Sequence, residues 1–241
     1  MRKDGFRPTS LSVQTVNDMP RFSAVAVKET IPIAWDFGRT KIDDSEYVDK
    51  MRKKDFVVVA QCLYREDKNL RQAYLWVHNP SGLNDGLWVG SKEHVEKKID
   101  EAKTRKARPI FRSASEGATV VHDVVLGGPA NTPWIEAADL SLADIKAWID
   151  KHRAIGWRPD HLYAHGSGAG TRFGCILIQN ADGPDWDVSW ALTAAEYEKV
   201  LATRRANGFR PRHVVVHDSH LNERRFSVIW IRFQREPPQA P

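Results

Sequence analysis

The sequence predicts an α+β fold of five tandem repeats of about 50 residues, each a β-hairpin followed by a helix. Antiparallel sheets covered by helices are the expected architecture. Three observations lead to this prediction. Arg-Pro pairs recur at a regular interval, Arg-Phe pairs follow them at a constant distance, and helix-start signals separate consecutive copies.

The Arg-Pro pairs set the period. They begin at residues 7, 108, 158 and 210, at intervals of 101, 50 and 52. The first interval is nearly double the others, so a degenerate copy is expected where the apolar run 56–64 lies. Arg-Phe pairs at 21, 172 and 225 follow their own Arg-Pro pairs by 14, 14 and 15 residues. The weakest copy keeps only the apolar run 118–126. We therefore divide a single repeat domain, 1–234, into copies 5–55, 56–106, 107–155, 156–207 and 208–234, with a flexible tail at 235–241.

Each copy has the pattern of a hairpin. A β-branched run such as "HVVVH" follows Arg-Pro, and a polar gap separates it from a second run such as "RFSVIWI". Alternation along this second run places Phe226 and Trp230 on one face and Ile229 on the other. Because both faces are apolar, we expect the strand to be buried on both sides, with Phe173 and Phe226 inside.

The helices carry their own boundary signals. Thr193 and Glu196 form a capping-box pattern, and Ser91 and Ser141 are expected N-caps. Glycines 156 and 208 follow the last helical residues, where a left-handed C-cap favours glycine. The first copy has no helix before it and the last has none after it. These complementary termini allow the array to close on itself.

Composition excludes several classes of protein. Hydrophobic residues make up 41% and charged residues 28%, as in ordinary globular proteins. The 36 basic and 31 acidic residues are interspersed, which predicts a mixed-sign surface and argues against a nucleic-acid partner. No apolar run is long enough for a membrane span. Cys62 and Cys175 are expected to be free buried thiols. Without an apolar stretch behind the first charges, we predict a cytoplasmic protein, unless the chain is a fragment of a longer secreted one.

No catalytic residue, metal or cofactor is predicted. The segment 165–170, "HGSGAG", fails the nucleophile-elbow pattern because His165 stands two residues before Ser167. His161 and His165 recur 52 residues later as His213 and His217, and residues i and i+4 of a strand share a face. The other copies have no matching histidines, so duplication explains the recurrence better than a metal site does.

Binding is expected to use the segments that differ between copies. These are the hairpin loops and the segments 79–90 and 180–190, which we interpret as loops. The candidate binding residues are Trp88, His165, Arg172, Trp186, Trp190, His217 and Arg225. Two alternatives stay open, since the tryptophans can instead pack between sheet and helix and the arginines can pair with nearby acids.

The spaced pattern resembles a bacterial tandem-repeat family. Glycine-aromatic-Arg-Pro, an apolar strand, Arg-Phe with a second strand, tryptophan and a helix opening as "LTAAEY" (192–197) recur, most clearly across 156–233. Such repeats form the N-terminal structural region of polyglycine-hydrolase-like serine hydrolases, beside a catalytic domain of β-lactamase type. The resemblance implies a non-catalytic module. That catalytic domain would carry a Ser-x-x-Lys nucleophile, and no serine of this sequence has lysine three residues on.

Two functional hypotheses follow. The first is a non-catalytic repeat scaffold that binds protein, peptide or glycan, or that supports a neighbouring hydrolase domain. The second is a hydrolase or metal-dependent enzyme whose site is assembled from loops around His165 and His217. A pocket that gathers these two histidines, His220 and an acidic residue would favour the second hypothesis.

Overall fold

A computed structural model of the chain describes residues 6–16, 19–28, 31–40, 45–67, 69–79, 84–115, 120–127, 132–180, 183–219, 221 and 223–232. In chain order the elements are β1 (Phe6–Val16), β2 (Met19–Lys28), β3 (Ile33–Arg39), α1 (Ser45–Arg52), β4 (Phe56–Glu66), β5 (Asn69–His78), β6 (Asn84–Gly90), α2 (Lys92–Thr104), β7 (Arg108–Ser115), β8 (Val121–Gly127), β9 (Trp134–Leu140), α3 (Leu142–Arg153), β10 (Trp157–His165), β11 (Arg172–Gln179), β12 (Asp185–Leu192), α4 (Ala194–Ala206), β13 (Phe209–Asp218) and β14 (Arg224–Arg232). The described fold is rich in strands, with several small antiparallel sheets and helices between them.

The sheets are built from antiparallel hairpins. Strands β1 and β2 form a two-stranded sheet, and the hairpins β4–β5, β7–β8, β10–β11 and β13–β14 each belong to a three-stranded one. In these larger sheets the return strand lies in the centre, between the first strand of its hairpin and the strand that precedes the helix. All the ladders between described strands are antiparallel, as predicted.

The third strand of each larger sheet was not predicted. The segments 79–90 and 180–190, interpreted as loops, contain strand β6 and most of strand β12. Each pairs with the return strand of the following hairpin, whose open edge would otherwise leave backbone groups unpaired. Each larger sheet therefore starts with the strand before the helix, and that strand and helix lie at the end of the preceding copy as the sequence was divided.

The first strands of the hairpins share a bulge just after the proline position. The register of pairing shifts between Pro8 and Ser10, Val58 and Ala60, Pro109 and Phe111, Pro159 and His161, and Pro211 and His213. Proline lacks an N–H group and so is compatible with an interrupted ladder. The same shift after Val58 shows that the degenerate copy keeps the geometry without its Arg-Pro pair.

The five hairpins close into a ring. Their first strands, β1, β4, β7, β10 and β13, which we call the inner strands, contact one another in this order, and β13 also contacts β1. At the closing junction Val25 of β2 packs in one apolar cluster with Val214 and Val228. The first hairpin thus lies beside the last one, which uses the complementary termini noted in the sequence.

Side chains also tie successive inner strands together. Nε2 of His161 donates to the carbonyl of Arg112 at 2.7 Å, and His213 makes the matching bond to the carbonyl of Leu162. Weaker contacts join Ser113 to the carbonyl of Gln61 at 3.5 Å and Cys62 to the carbonyl of Leu11 at 3.6 Å. The accepting carbonyls thus recur with the period of the repeat. This position explains why two buried histidines recur 52 residues apart.

The return strand β14 is buried on both faces. Val228 and Trp230 belong to the apolar cluster beside helix α4, whereas Ile229 belongs to a neighbouring cluster with Phe173. Phe173 is 1% exposed, as predicted. Phe226 was expected to be buried as well but is only half-buried, because it packs at the margin of its cluster, where Tyr197 stacks on it.

Helix boundaries follow the sequence signals. The hydroxyl of Thr193 accepts from the amide of Glu196, whose carboxylate accepts from the amide of Thr193, so the capping box is present. Gly156 and Gly208, which follow the C-terminal ends of helices α3 and α4, have left-handed φ values of 84° and 81°.

Removing the cap of α4 gives a first test. We expect Thr193→Ala to lower the free energy of unfolding by about 1 kcal/mol, because one amide of the first turn loses its acceptor. Urea denaturation of both proteins measures the change. Thr203→Ala, at an exposed position in the same helix, is the control and should change stability by less. An equal loss in both variants would contradict a specific role for the cap.

Candidate functional site

A pocket opens on the ring axis where the inner strands reach their hairpin loops. We call it the axial pocket; its volume is about 160 Å³. Each of the five inner strands contributes to its wall. The lining residues are Val13, Leu63, Tyr64, Arg65, Ala114, Ser115, Ala164, His165, Gly166, Ser167, Val216, His217 and Asp218.

Equivalent positions of the repeat give this wall different chemistries. Tyr64, Ser115, His165 and His217 occupy one slot, because each follows the arginine of its Arg-Pro pair, or Val57 in the degenerate copy, by seven residues. Their partners on the return strands are Arg71, Val121, Arg172 and Arg225. The frame is therefore repeated, whereas the side chains around the axis are not. Hydroxyl, imidazole and phenol groups lie within one pocket.

His165 is held by an acidic partner. Its Nε2 lies 2.8 Å from Oδ1 of Asp139, a residue of β9 with a φ of 58°. Asp139 also pairs with Lys92 of α2. Burial opposes ionisation of Asp139, but the hydrogen bonds from Lys92 and His165 outweigh it and lower its pKa to about 2. The carboxylate thus stays charged and orients the imidazole at the pocket wall.

His217 has a different environment. Its Nε2 lies 3.0 Å from the hydroxyl of Ser227, and its Nδ1 lies 3.4 Å from the carbonyl of Asp218. Burial lowers the pKa of His217. Ser227 is 0% exposed, and its hydroxyl also accepts from the amide of Ala191. Since substrate cannot reach this hydroxyl, the pair stabilises the sheet and does not form a nucleophile.

The predicted tryptophans lie away from the axial pocket. Trp186 and Trp190 are residues of strand β12, and Trp88 belongs to β6. Arg153 covers the ring of Trp186 at 4.1 Å, and Trp190 contacts Phe173 edge-on. All three tryptophans are half-buried and pack against apolar clusters. Their placement between strands and helices matches the packing alternative.

Four tryptophans that each lie in the strand before a helix, Trp35, Trp88, Trp134 and Trp186, do not share one structural position. Trp134 and Trp186 lie opposite the equivalent residues Ile178 and Ile231. Trp35 lies opposite Leu75, and Trp88 lies opposite Val124, at other points of the third strand. Their similar spacing along the chain therefore does not make all four equivalent in the pairing register.

The predicted arginines make local contacts. Arg172 donates to the carbonyl of Thr171 at 3.1 Å, and Arg225 pairs with Glu223. Neither of them lines the axial pocket. Sequence reasoning instead missed Tyr64, Arg65 and Asp218 at the pocket, although Tyr64 could have been found by aligning the slot occupied by His165 and His217.

A charge cluster lies toward the other end of the inner strands. The buried carboxylate of Asp160 accepts from Arg108 at 2.9 Å, and Arg158 and Arg212 lie 3.5 and 3.6 Å away. Burial raises the pKa of Asp160, but the arginines, chiefly Arg108 and Arg212, outweigh it and lower the pKa overall. The arginines come from β7, β10 and β13, so this cluster joins three successive inner strands.

The described residues also bear on metal binding, membrane insertion and the state of the cysteines. Among them, no three histidine, cysteine, aspartate or glutamate side chains are grouped so as to hold a metal ion. None of the described helices has the length and apolar character needed to cross a membrane. Cys62 and Cys175 are buried thiols that form no disulfide, as predicted. His220, a residue of the enzymatic hypothesis, lies outside the described residues.

Comparison with known families shows which family the chain belongs to. The model of a family described as polyglycine hydrolase-like, structural repeat, matches residues 1–29, 131–180 and 183–232, more than half of the chain. The chain belongs to this structural-repeat family. The two longer matches each contain a third strand, a helix and a hairpin, and the short one covers the first hairpin. A search of curated proteins gave no match.

Proposed function

We propose that this repeat domain is a non-catalytic binding module whose axial pocket receives a side chain or chain end of a protein or peptide. The contribution of all five inner strands to one pocket carries this proposal. About 160 Å³ is well below the roughly 300–1,000 Å³ typical of sites for whole small molecules. A protruding group of a larger partner fits this size better.

The lining supports recognition of a polar group. Arg65 and Asp218 bring opposite charges to the pocket, and Tyr64 and His165 add hydrogen-bonding groups. A peptide offers both donors and acceptors to such a wall. The family description also supports an accessory role beside a hydrolase domain, in which the pocket would contact that domain or its substrate.

The enzymatic alternative rests on one observation, the hydrogen bond between His165 and Asp139 at the pocket wall. Such a pair can act as a general base. Ser227 is fully buried and so cannot act as a nucleophile for this pair. We therefore rank this function second. Loss of ester hydrolysis in His165→Gln, with wild-type activity above background, would establish it.

Blocking the pocket tests the binding proposal. Linear peptides are selected on the wild-type domain by phage display and then measured by titration. We expect Ser167→Trp to weaken the selected peptides at least tenfold, because the exposed Ser167 lies at the pocket and a large side chain there fills it. Ala169→Trp, in the same loop but outside the lining, is the matched control and should bind as the wild type does.

Melting temperatures of both variants show whether the fold is intact. Peptides that bind Ser167→Trp as tightly as the wild type would exclude the axial pocket as their site.

A further inference from the structure

A second recess lies between helix α2 and strand β9. We call it the α2–β9 groove; it has a volume of about 460 Å³. One face of the helix lines it with Lys92, Glu96, Ile99, Asp100 and Lys103, and the strand lines it with Trp134, Ile135, Glu136 and Ala138. Arg112 of β7 completes the lining. The groove shares no lining residue with the axial pocket.

Arg112 is an unusual residue for such a place. It is 1% exposed, and one of its terminal nitrogens pairs with Glu136. Its Nε and Nη2 have no hydrogen-bond partner among the described residues. A buried charged donor without an acceptor is unfavourable, because it has lost its hydrogen bonds to water and has none in return. Both nitrogens have almost no accessible surface, so these donors lie behind the lining of the groove, and Arg112 acts on a ligand there chiefly through its charge.

The next junction of the ring provides an internal comparison. Trp134 and Trp186 occupy equivalent positions, and each has a cation of the preceding helix over its ring. Arg153 lies 4.1 Å from the ring of Trp186 and is anchored to Asp187 at 3.2 Å. Lys103 lies farther from the ring of Trp134, at 5.5 Å.

The anchor of that cation is missing at the groove. Strand β9 has Ile135 at the position where β12 has Asp187, as their pairing with Leu177 and Trp230 shows. Lys103 pairs instead with Asp100 of its own helix, and its side chain is 57% exposed. An entering ligand can therefore displace Lys103 from the indole face more easily than it could displace Arg153.

Charge balance indicates what kind of ligand fits. The cations Lys92, Lys103 and Arg112 are matched in number by the carboxylates Glu96, Asp100 and Glu136. A lining without net charge gives no general attraction for a polyanion. It offers donors and acceptors around an indole, whose electron-rich face attracts C–H groups of partial positive charge.

We propose that the α2–β9 groove binds a neutral saccharide, with a pyranose ring on Trp134 and its hydroxyls on the surrounding charged groups. Pyranoses have a face of C–H groups and a rim of hydroxyls that both donate and accept. The groove is separate from the axial pocket, so this proposal does not depend on the proposal that the axial pocket binds peptides.

Binding of defined sugars tests this site. The probes are cellotetraose, chitotetraose, mannotetraose and xylotetraose, with tetragalacturonate as an acidic comparison, each titrated calorimetrically. We expect at least one neutral probe to bind and Trp134→Ala to weaken it at least tenfold. Trp186→Ala, which removes a half-buried indole from the equivalent position, is the matched control and should bind as the wild type does.

A second variant guards against misfolding of Trp134→Ala. Glu96→Gln changes a partly exposed groove carboxylate and is expected to weaken the same probe several-fold with an unchanged melting temperature. Three results would overturn the inference. They are no binding of any neutral probe, binding of tetragalacturonate alone, and sugar binding lost in Ser167→Trp but kept in Trp134→Ala.

Discussion

Replacement of Asp160 by asparagine is expected to lower the free energy of unfolding by about 3–5 kcal/mol, since it removes one partner of a buried ion cluster. The carboxylate is 7% exposed, and the side chains of Arg108 and Arg158 are 10% and 17% exposed. Without Asp160 these guanidinium groups keep their charges, because arginine does not deprotonate, and repel one another across adjacent inner strands. Asparagine has nearly the same volume, so the loss reports charge and not a cavity.

Urea denaturation at neutral pH measures this change. The matched control is Asp185→Asn, which breaks the pair with Arg232, whose side chains are 61% and 49% exposed. Exposed pairs contribute at most about 1 kcal/mol, so this variant should differ little from the wild type. A loss below that level for Asp160→Asn would show that the cluster does not hold the inner strands together.

Acidification from pH 7 to pH 4 is expected to destabilise the ring strongly through its buried histidines. Burial lowers the pKa of His161 and of His122 from 6.5 to about 4, and it lowers that of His213 well below the usual value. The unfolded chain takes up these protons below about pH 6.5, whereas the folded chain does not, so stability falls as the pH falls through this window. Each of the first two histidines contributes a loss of about 3 kcal/mol at pH 4.

The carboxylates act at lower pH. Asp139, with a pKa of about 2, and Asp160, with a lowered pKa, stabilise the folded state above the unfolded value near 3.8, and this contribution is lost as the pH falls below it. Chemical denaturation at half-unit steps of pH separates the two windows. His161→Gln keeps an N–H donor for the carbonyl of Arg112. It should reduce the dependence of the free energy of unfolding on pH between pH 6.5 and 4 by the amount that corresponds to one proton fewer taken up on unfolding. A wild-type stability that does not change over this window would contradict the assignment.

Local signals in the sequence determined a large part of the fold. The hairpins follow from strands with period-two alternation separated by short polar gaps, and these depend on neighbours close in the chain. The cap at Thr193 and the left-handed glycines Gly156 and Gly208 are likewise decided within one helical turn. Burial of Phe173 and the two-sided burial of β14 follow from the apolar pattern alone.

The candidate sites could be predicted only in part. His165 and His217 were among the candidate binding residues, and the structure places both in one pocket. Arg65 and Asp218 of that pocket lack a repeating signal. Trp134, at the α2–β9 groove, is distinguished from Trp186 only by the register of its strand and by Ile135 beside it. Such differences depend on partners that lie more than 30 residues away in the chain.

The sequence by itself thus determined the repeat, its hairpins, its helix boundaries and the family. Only the tertiary structure decided that the segments bearing Trp88 and Trp186 are strands, because an edge strand is stabilised by a partner from the following hairpin and has no local turn to mark it. Closure of the ring, the cluster around Asp160 and the axial pocket also required the structure. Each joins side chains from different inner strands, and no spacing along the chain specifies which of them meet at the axis.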